Sequence, residues 1–418
     1  MMNAMSSVLP VAEETSALDR VKALESEYLL QNYARYPVML DHGKGCYVFD
    51  ASGKRYLDFI TGIGVNALGH AHPRLVKVIR DQAGRLLHSS NLYYHAYQGP
   101  LAERLAKASG LHRTFFCNSG AESMEGALKM VRAHGRRVDP EKFQVVALHN
   151  SFHGRTFGAL SITGQEKYRH DFEPLLPGVH FVPPNDEVAL EQIVCDRTAG
   201  IVIEWIQGEG GIIPMSLEYV RKARQLADRY NALLVFDEIQ CGVGRTGKYF
   251  AYQLADPEVL PDITVAAKPL ACGIPLGVIV ANDRAAASIG SGMHGSTFGG
   301  GPLACRVALE FMDILDGLLP HITKMGTYFR AKLDDLQKQF AFIREVRGHG
   351  LMIGVDLSIP GKQIVLDAMQ QGLLMNCTHE TVLRFLPPYI VTEKEIDRAV
   401  AILKRVLKPA AKRGDNEH

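Results

Sequence analysis

The chain has 418 residues, 47% of them apolar, and its 46 basic and 45 acidic side chains nearly cancel. That length can bury a large core in two lobes, and the charge balance excludes recognition of nucleic acid or an acidic membrane by bulk electrostatics, so a small molecule is the expected partner. Seven cysteines (Cys46, Cys117, Cys195, Cys241, Cys272, Cys305 and Cys377) stand singly, which points to reduced thiols in a cytosolic setting rather than a disulfide framework.

Residues 1–25 carry acidic side chains and no long apolar stretch, so no secretory signal is expected. Residues 16–36 read as a peripheral helix. "GCYVFDASGKRYLDF" (45–59) reads as a hairpin that turns at Ala51–Lys54. From about 98 to 282, short apolar strands alternate with helical periods. Candidate strands are 113–117, 144–148, 200–204, 232–236, 263–267 and 275–281. Several are apolar throughout, as in a parallel sheet covered on both faces, so an α/β domain is expected. After about residue 305 the pattern becomes a long helix, strands near 342–357, a helix, a strand and a final helix, which reads as a smaller second lobe. The last helix opens on the capping-box pattern Thr392–Glu395 and carries the stripe Ile396, Val400, Leu403 and Leu407. Residues 409–418 read as a frayed tail. No stretch reaches membrane-spanning length, and the sixteen histidines show no metal-ligand spacing, so neither membrane nor metal is expected.

Three places along this frame suggest chemistry. In "FFCNSGAESMEGALKMVRAHG" (115–135) a strand runs through Asn118-Ser119-Gly120 into a helix, with Ser119 and Glu122 in a capping-box pattern. Gly120 would let an anion approach the free amides of the helix start. In "FDEIQCGVGRTG" (236–247) the glycines spell G-x-G-x-x-G. The first glycine does not follow the strand directly and no helix start follows the third, so a dinucleotide fold is not expected. Asp237 at the strand end is the more informative residue. In "DITVAAKPLACGIPLG" (262–277) Lys268 ends an apolar strand. A solvent-reaching lysine is the ordinary outcome there, but a desolvated one has a lowered pKa and suits Schiff-base chemistry. Pyridoxal 5′-phosphate needs such a lysine, an acid for its pyridine nitrogen and an anion site for its phosphate. Lys268, Asp237 and the Ser119–Gly120 turn supply one each.

With "GIGVNALGHAHP" (62–73), "NSGAES" (118–123), "NSFHGRT" (150–156), "EWIQGEGG" (204–211), "GSTFGGGPLAC" (295–305) and "VLRFLPP" (382–388) added, the chain resembles class III pyridoxal-phosphate aminotransferases over about residues 25–408. It is most similar to the acetylornithine/ornithine subgroup. The resemblance implies an aspartate-aminotransferase-like (type I) α/β fold, with a large, mostly parallel sheet domain and a smaller α/β domain. It also implies a homodimer with shared sites. The expected division is an N-terminal segment (1–61) joining the small domain, a large cofactor domain (62–305) and a C-terminal small domain (306–418). It implies Lys268 as the cofactor-bearing lysine and proton shuttle, and Asp237 as partner of the ring nitrogen. Gln240 would lie near the ring hydroxyl and Phe152 on the ring face. Ser119, Gly120 and Ala121 would hold the phosphate, and Thr297 would reach the phosphate of the neighbouring subunit.

For substrates, the resemblance implies that Arg155 grips the donor's α-carboxylate, Arg384 anchors the dicarboxylate 2-oxoglutarate, and Glu209 masks Arg384 when no carboxylate is present. N-acetylornithine is the expected ω-amine donor, which implies a place in arginine biosynthesis. Ornithine, succinylornithine, N-acyl-lysine derivatives and 4-aminobutyrate are alternatives, and an NAD-dependent oxidoreductase is the rival from another reaction class. The ornithine branch tends to carry tyrosine where this chain has Ile63. Trp205 departs from the family's usual proline and is expected to alter substrate shape. His153 is expected to be structural or to line the pocket entrance.

Overall fold

The computed structural model describes residues 16–255 and 259–414. The expectations placed on residues 1–15 and 415–418 lie outside these. Its centre is a seven-stranded sheet in the order Arg113–Cys117, Gly277–Ala281, Ile263–Ala266, Leu233–Asp237, Thr198–Glu204, Gln144–Leu148 and Val179–Val182. Six of these strands run the same way and Gly277–Ala281 is reversed. Val179–Val182 is not among the strands expected from sequence. It is four residues long, interrupted by His180 and followed by Pro183 and Pro184.

The sheet is covered on both faces, which is why its strands read as continuous apolar runs. On one face the helix Gly120–Val138 buries Met124, Ala127, Leu128 and Val131 against Val145, Val202, Val235 and Ile279. Each of the larger of these side chains contributes about 1.5–3 kcal/mol on burial. Gly200 permits the close approach: a Cβ there would meet Val131 Cγ1 at 2.7 Å. On the other face Ile201, Ile203, Leu234 and Phe236 pack against Tyr219, Val220 and Ala223 of the helix Leu217–Arg229.

Two smaller sheets flank this layer. Ile343–His349, Met352–Leu357, Val382–Phe385 and Asn376–Thr378 form an antiparallel sheet. The expected hairpin is formed by Tyr47–Asp50 and Arg55–Asp58, joined to Leu40–Lys44. Leu373–Leu374 then pairs in parallel with Arg55–Asp58, so a strand from the end of the chain completes a sheet begun near its start. The helix Pro302–Gln337 carries Pro302 in its first turn, where proline's missing amide costs nothing. The boundary expected at 305/306 falls inside that turn.

Two sequence expectations are corrected. The first helix holds only over Ala17–Tyr28, and Leu29 is already extended. None of its residues is buried, so no packing prolongs it, and Pro37 biases the preceding chain toward extended forms. At the other end the backbone remains helical to Gly414 rather than fraying from 409. Ile396, Leu403 and Leu407 of its expected stripe are buried, while Val400 is half-buried.

Candidate active site

The strands Leu233–Asp237 and Thr198–Glu204 run parallel, with Asp237 opposite Glu204. Both carboxylates therefore stand at the carboxyl ends of neighbouring strands, the edge at which open α/β sheets bind ligands. A cavity of about 380 Å³ opens there. Asp237 is buried; its Oδ2 lies 2.7 Å from His153 Nδ1 and its Oδ1 accepts the Ile239 amide at 3.0 Å. Burial pushes His153 toward its neutral form. The hydrogen bond to Asp237 and the charges of Asp237 and Glu204 outweigh burial and raise its pKa. His153 thus lies deep in the wall behind Asp237, not at the pocket entrance. Glu204 is buried as well and accepts amides from Phe152 (3.0 Å) and Gly208 (3.1 Å). Burial pushes its carboxyl up to about 7, against the opposing charge of His153.

Lys268 follows the strand Ile263–Ala266 and faces the same cavity. Its φ of 36° is unusual for a side-chain-bearing residue, a strain of the sort that accumulates at functional sites. Burial and then the Arg384 charge lower its pKa to about 8, against Glu209, Asp237 and Glu204, which raise it. A substantial fraction of its amine is therefore neutral and nucleophilic near physiological pH.

The helix Gly120–Val138 points its N-terminus into the cavity, where Ser119, Gly120 and Ala121 form part of the lining. Ser119 Oγ accepts the Glu122 amide at 3.2 Å. The Glu122 carboxylate does not reach back to Ser119, as a full capping box would require. Its Oε2 accepts from the Asn118 amide (2.8 Å) and Asn118 Nδ2 (2.9 Å) instead. The first-turn amides of Gly120 and Ala121, which helix geometry leaves without intrahelical partners, remain for an anion. Gly120 has a packing reason to be small: a Cβ would meet Ile239 Cδ1 and Cγ2 at 2.8 Å.

Arg384 lies behind the cavity on the strand Val382–Phe385 and is 1% exposed. Its Nη1 is 2.5 Å from Glu209 Oε1 and 3.3 Å from Gln240 Oε1, and its Nε donates to Asn376 Oδ1 at 3.1 Å. Burial alone would raise the pKa of Glu209, but the Arg384 charge and hydrogen bond lower it, with Lys268 and Thr378 assisting. Near the mouth, Arg155 is exposed and stacks over Tyr168, 3.8 Å from its ring centroid. Tyr168 meets Phe152 edge-on at 6.0 Å.

Lys268, Asp237, Ser119, Gly120, Ala121, Phe152, Gln240, Arg155 and Glu209 share this one cavity, with Arg384 bonded to its wall. Thr297 is not part of that lining. It is exposed on a neighbouring loop whose Ser296 Oγ accepts Asn118 Nδ2 at 3.1 Å. Trp205 does not shape the cavity: it is buried, edge-on to Phe236 at 5.5 Å, in the core on the other sheet face. Ile63 also lies outside the lining. The glycines 242–247 build a loop after Asp237, with Gly244 and Gly247 at φ 95° and 87°, and no long helix follows, so the dinucleotide arrangement is absent among the described residues. Sequence reasoning missed Glu204, Tyr168, Asn376 and Thr378. Only Glu204 carried a local signal, a charged residue ending an apolar strand.

The aminotransferase class-III family model matches residues 28–407. The acetylornithine aminotransferase of Methanocaldococcus jannaschii is 47% identical over 386 residues, covering 92% of this chain and 96% of that protein. That of Aquifex aeolicus is 45% identical and covers 91% of this chain and 100% of its own length. Among solved structures, the ornithine aminotransferase of Toxoplasma gondii, in a form with partial occupancy of PLP at its active site, superposes with a TM-score of 0.89 at 32% identity. The match covers 96% of each chain. The chain belongs to the class-III aminotransferase family and has its aspartate-aminotransferase-like fold.

Proposed function

From membership in the class-III aminotransferases, we propose that this enzyme moves the ω-amino group of N-acetylornithine to 2-oxoglutarate, using pyridoxal 5′-phosphate held in the Lys268–Asp237 cavity. The observation that carries the reading is the Glu209–Arg384 pair at 2.5 Å beside Lys268. One buried cation with its own removable counter-ion suits a site that must take a donor end without a carboxylate in one half-reaction and a carboxylate in the other. The relatives from Methanocaldococcus jannaschii and Aquifex aeolicus support the acetylated donor.

The residues fit the cofactor chemically. A near-neutral amine, a buried carboxylate, free helix amides and an aromatic ring surround one space of suitable size. When bound, pyridoxal phosphate supplies an electron sink for the carbon that carries the migrating amine. Asp237, backed by His153, would face the ring nitrogen. Gly120 and Ala121 would offer their amides to the cofactor's phosphate, with Ser119 beside them, Phe152 would cover a ring face and Gln240 would lie near the ring hydroxyl. Lys268 Nζ would hold the cofactor and is placed to carry a proton within the cavity. Arg155, held by Tyr168 near the mouth, receives the donor's α-carboxylate. Glu209 covers Arg384 during that half-reaction and releases it to 2-oxoglutarate in the other.

We also propose a homodimer. The loops around 86–98 and 291–301 are tied together by Asn91 Nδ2 donating to Gly299 O (3.0 Å) and by His95 against Gly300 O (2.7 Å). They expose Leu92, Tyr93, Tyr94 and Phe298, the last adjoining Thr297 in sequence, and large side chains exposed on tied loops suit a subunit contact. The seven unpaired cysteines support a reducing, cytoplasmic location. From the pairing of Leu373–Leu374 with Arg55–Asp58 we divide the described residues into those within 62–305 as the large domain and 16–61 with 306–414 as the small one.

A panel of amine donors with 2-oxoglutarate tests the reading. The highest kcat/KM is expected for N-acetylornithine, from a yellow protein that borohydride bleaches. Preference for free ornithine or 4-aminobutyrate would overturn the donor assignment, and absence of any transamination would overturn the reaction.

A further inference from the structure

Glu204 is buried beneath the site, and its two oxygens do different work. Oε2 accepts the amide of Phe152, the residue whose ring lines the cavity; Oε1 accepts the amide of Gly208, the residue before Glu209. The segment around Glu209 is held from its other side too, because Thr378 Oγ1 donates to the Glu209 carbonyl at 2.6 Å. Gly208 packs closely on Gln240: a Cβ there would meet Gln240 Oε1 at 2.5 Å, and that oxygen is bonded to Arg384. The segment is thus held in front through the Gly208 amide on Glu204 and behind through the Glu209 carbonyl on Thr378, while the Glu209 side chain contacts Arg384 and, at 3.5 Å, Thr378 Oγ1.

We propose that Glu204 is a positioning residue that joins the ring-covering wall to the Glu209–Arg384 gate, so that the gate opens by rotation of the Glu209 side chain on a fixed backbone. This rests on the proposed function, in which Phe152 covers the cofactor and Arg384 takes the keto acid. Two backbone amides from different loops converge on one carboxylate, so a single substitution should disturb both walls at once. In Glu204→Gln the amide can accept from only one of the two N–H groups and turns a donor toward the other.

The test compares wild type, Glu204→Gln and Thr378→Val by thermal unfolding, by pyridoxal phosphate affinity of the apoprotein, and by KM for each substrate. For Glu204→Gln, the cofactor Kd and the KM for 2-oxoglutarate should each rise about tenfold, the loss expected for a hydrogen bond to a charged group. The KM for the amine donor should change less than twofold. Thr378→Val should raise the KM for 2-oxoglutarate and leave cofactor affinity unchanged. A Glu204→Gln protein with lowered Tm but unaltered Kd and KM overturns the proposal, as does an equal rise in both KM values. Should Glu204→Gln fail to fold, an unchanged KM for 2-oxoglutarate in Thr378→Val overturns the clamp. The cofactor measurement needs no substrate, and the KM comparison can use any donor the wild type accepts. Failure of the N-acetylornithine assignment is therefore distinguishable from failure here.

Discussion

Replacing Arg384 with alanine probes the gate most directly. The side chain is 1% exposed and bonded to Glu209, Gln240 and Asn376, so water cannot substitute for it freely. A charge-assisted contact to a substrate carboxylate contributes about 1.5–3 kcal/mol. At roughly 1.4 kcal/mol per decade, KM for 2-oxoglutarate should rise about ten- to 150-fold. In the proposed function the amine donor makes no carboxylate contact with Arg384, so its KM should stay within about threefold, a loss near 0.6 kcal/mol. A second consequence follows from electrostatics. After burial, Arg384 is the largest influence lowering the Lys268 pKa to about 8. Without it, the pH midpoint for reaction of the apoprotein lysine with an aldehyde reagent should move upward. Steady-state kinetics with each substrate varied, together with that titration, gives two independent readings. Equal increases in both KM values, or an unmoved Lys268 midpoint, would refute the reasoning.

The neighbouring residues give further expectations. Lys268→Met should abolish turnover yet stabilise the apoprotein at neutral pH. The lysine's folded pKa lies below its ordinary 10.5, so charging it costs stability in full below about pH 8. That cost vanishes above about 10.5; the stability gain, on the order of 1–3 kcal/mol at pH 7, should fade over that window, as thermal unfolding at several pH values would show. Asp237→Asn should retain cofactor but lower kcat by roughly a hundredfold or more. It should also lower the His153 pKa seen by NMR, because Asp237 holds that pKa up against burial. Tyr168→Ala removes the ring stacked on Arg155 and should raise the donor KM about two- to fivefold, with the 2-oxoglutarate KM unchanged. Phe298→Asp places a charge in the exposed apolar patch. Sedimentation should then show monomers, and an unaltered dimer would remove that patch from the interface.

Legibility in the sequence followed locality. Lys268 and Asp237 stand out because a charge at the end of an apolar strand is visible within a few residues, and each strand was found within a residue or two. Glu204 ends a strand in the same way. Which strand ends share a cavity depends on sheet order, and the pairing of Leu233–Asp237 with Thr198–Glu204 is a tertiary fact. The bond between His153 and Asp237 joins residues 84 apart, and that between Arg384 and Gln240 spans 144. No spacing rule reaches that far; Arg384 entered only through resemblance to a family. The Ser119–Glu122 pattern was half informative, since the serine caps its helix while the glutamate serves Asn118. Trp205 misled for a related reason. The strand ends at Glu204, which lines the cavity, and Trp205 in the bend directly after it turns into the core.

The in-register meeting of Asp237 and Glu204 sets a rule for remodelling this enzyme. Side chains alternate along a strand, so deleting or adding one residue within 198–204 or 233–237 would turn a carboxylate toward the opposite face and bring an apolar neighbour to the rim. Insertions at the far edge of the sheet, in the turns around 139–143, 195–197 and 230–232, leave that phase untouched. Tags, sensors or tethers belong at the exposed positions of those turns, such as Glu141 and Arg197, clear of the buried Lys142, whose Nζ donates to Asp196 O and Tyr230 O. Changes of donor preference belong to side chains at the rim, where residues can be exchanged without resetting the strands beneath them.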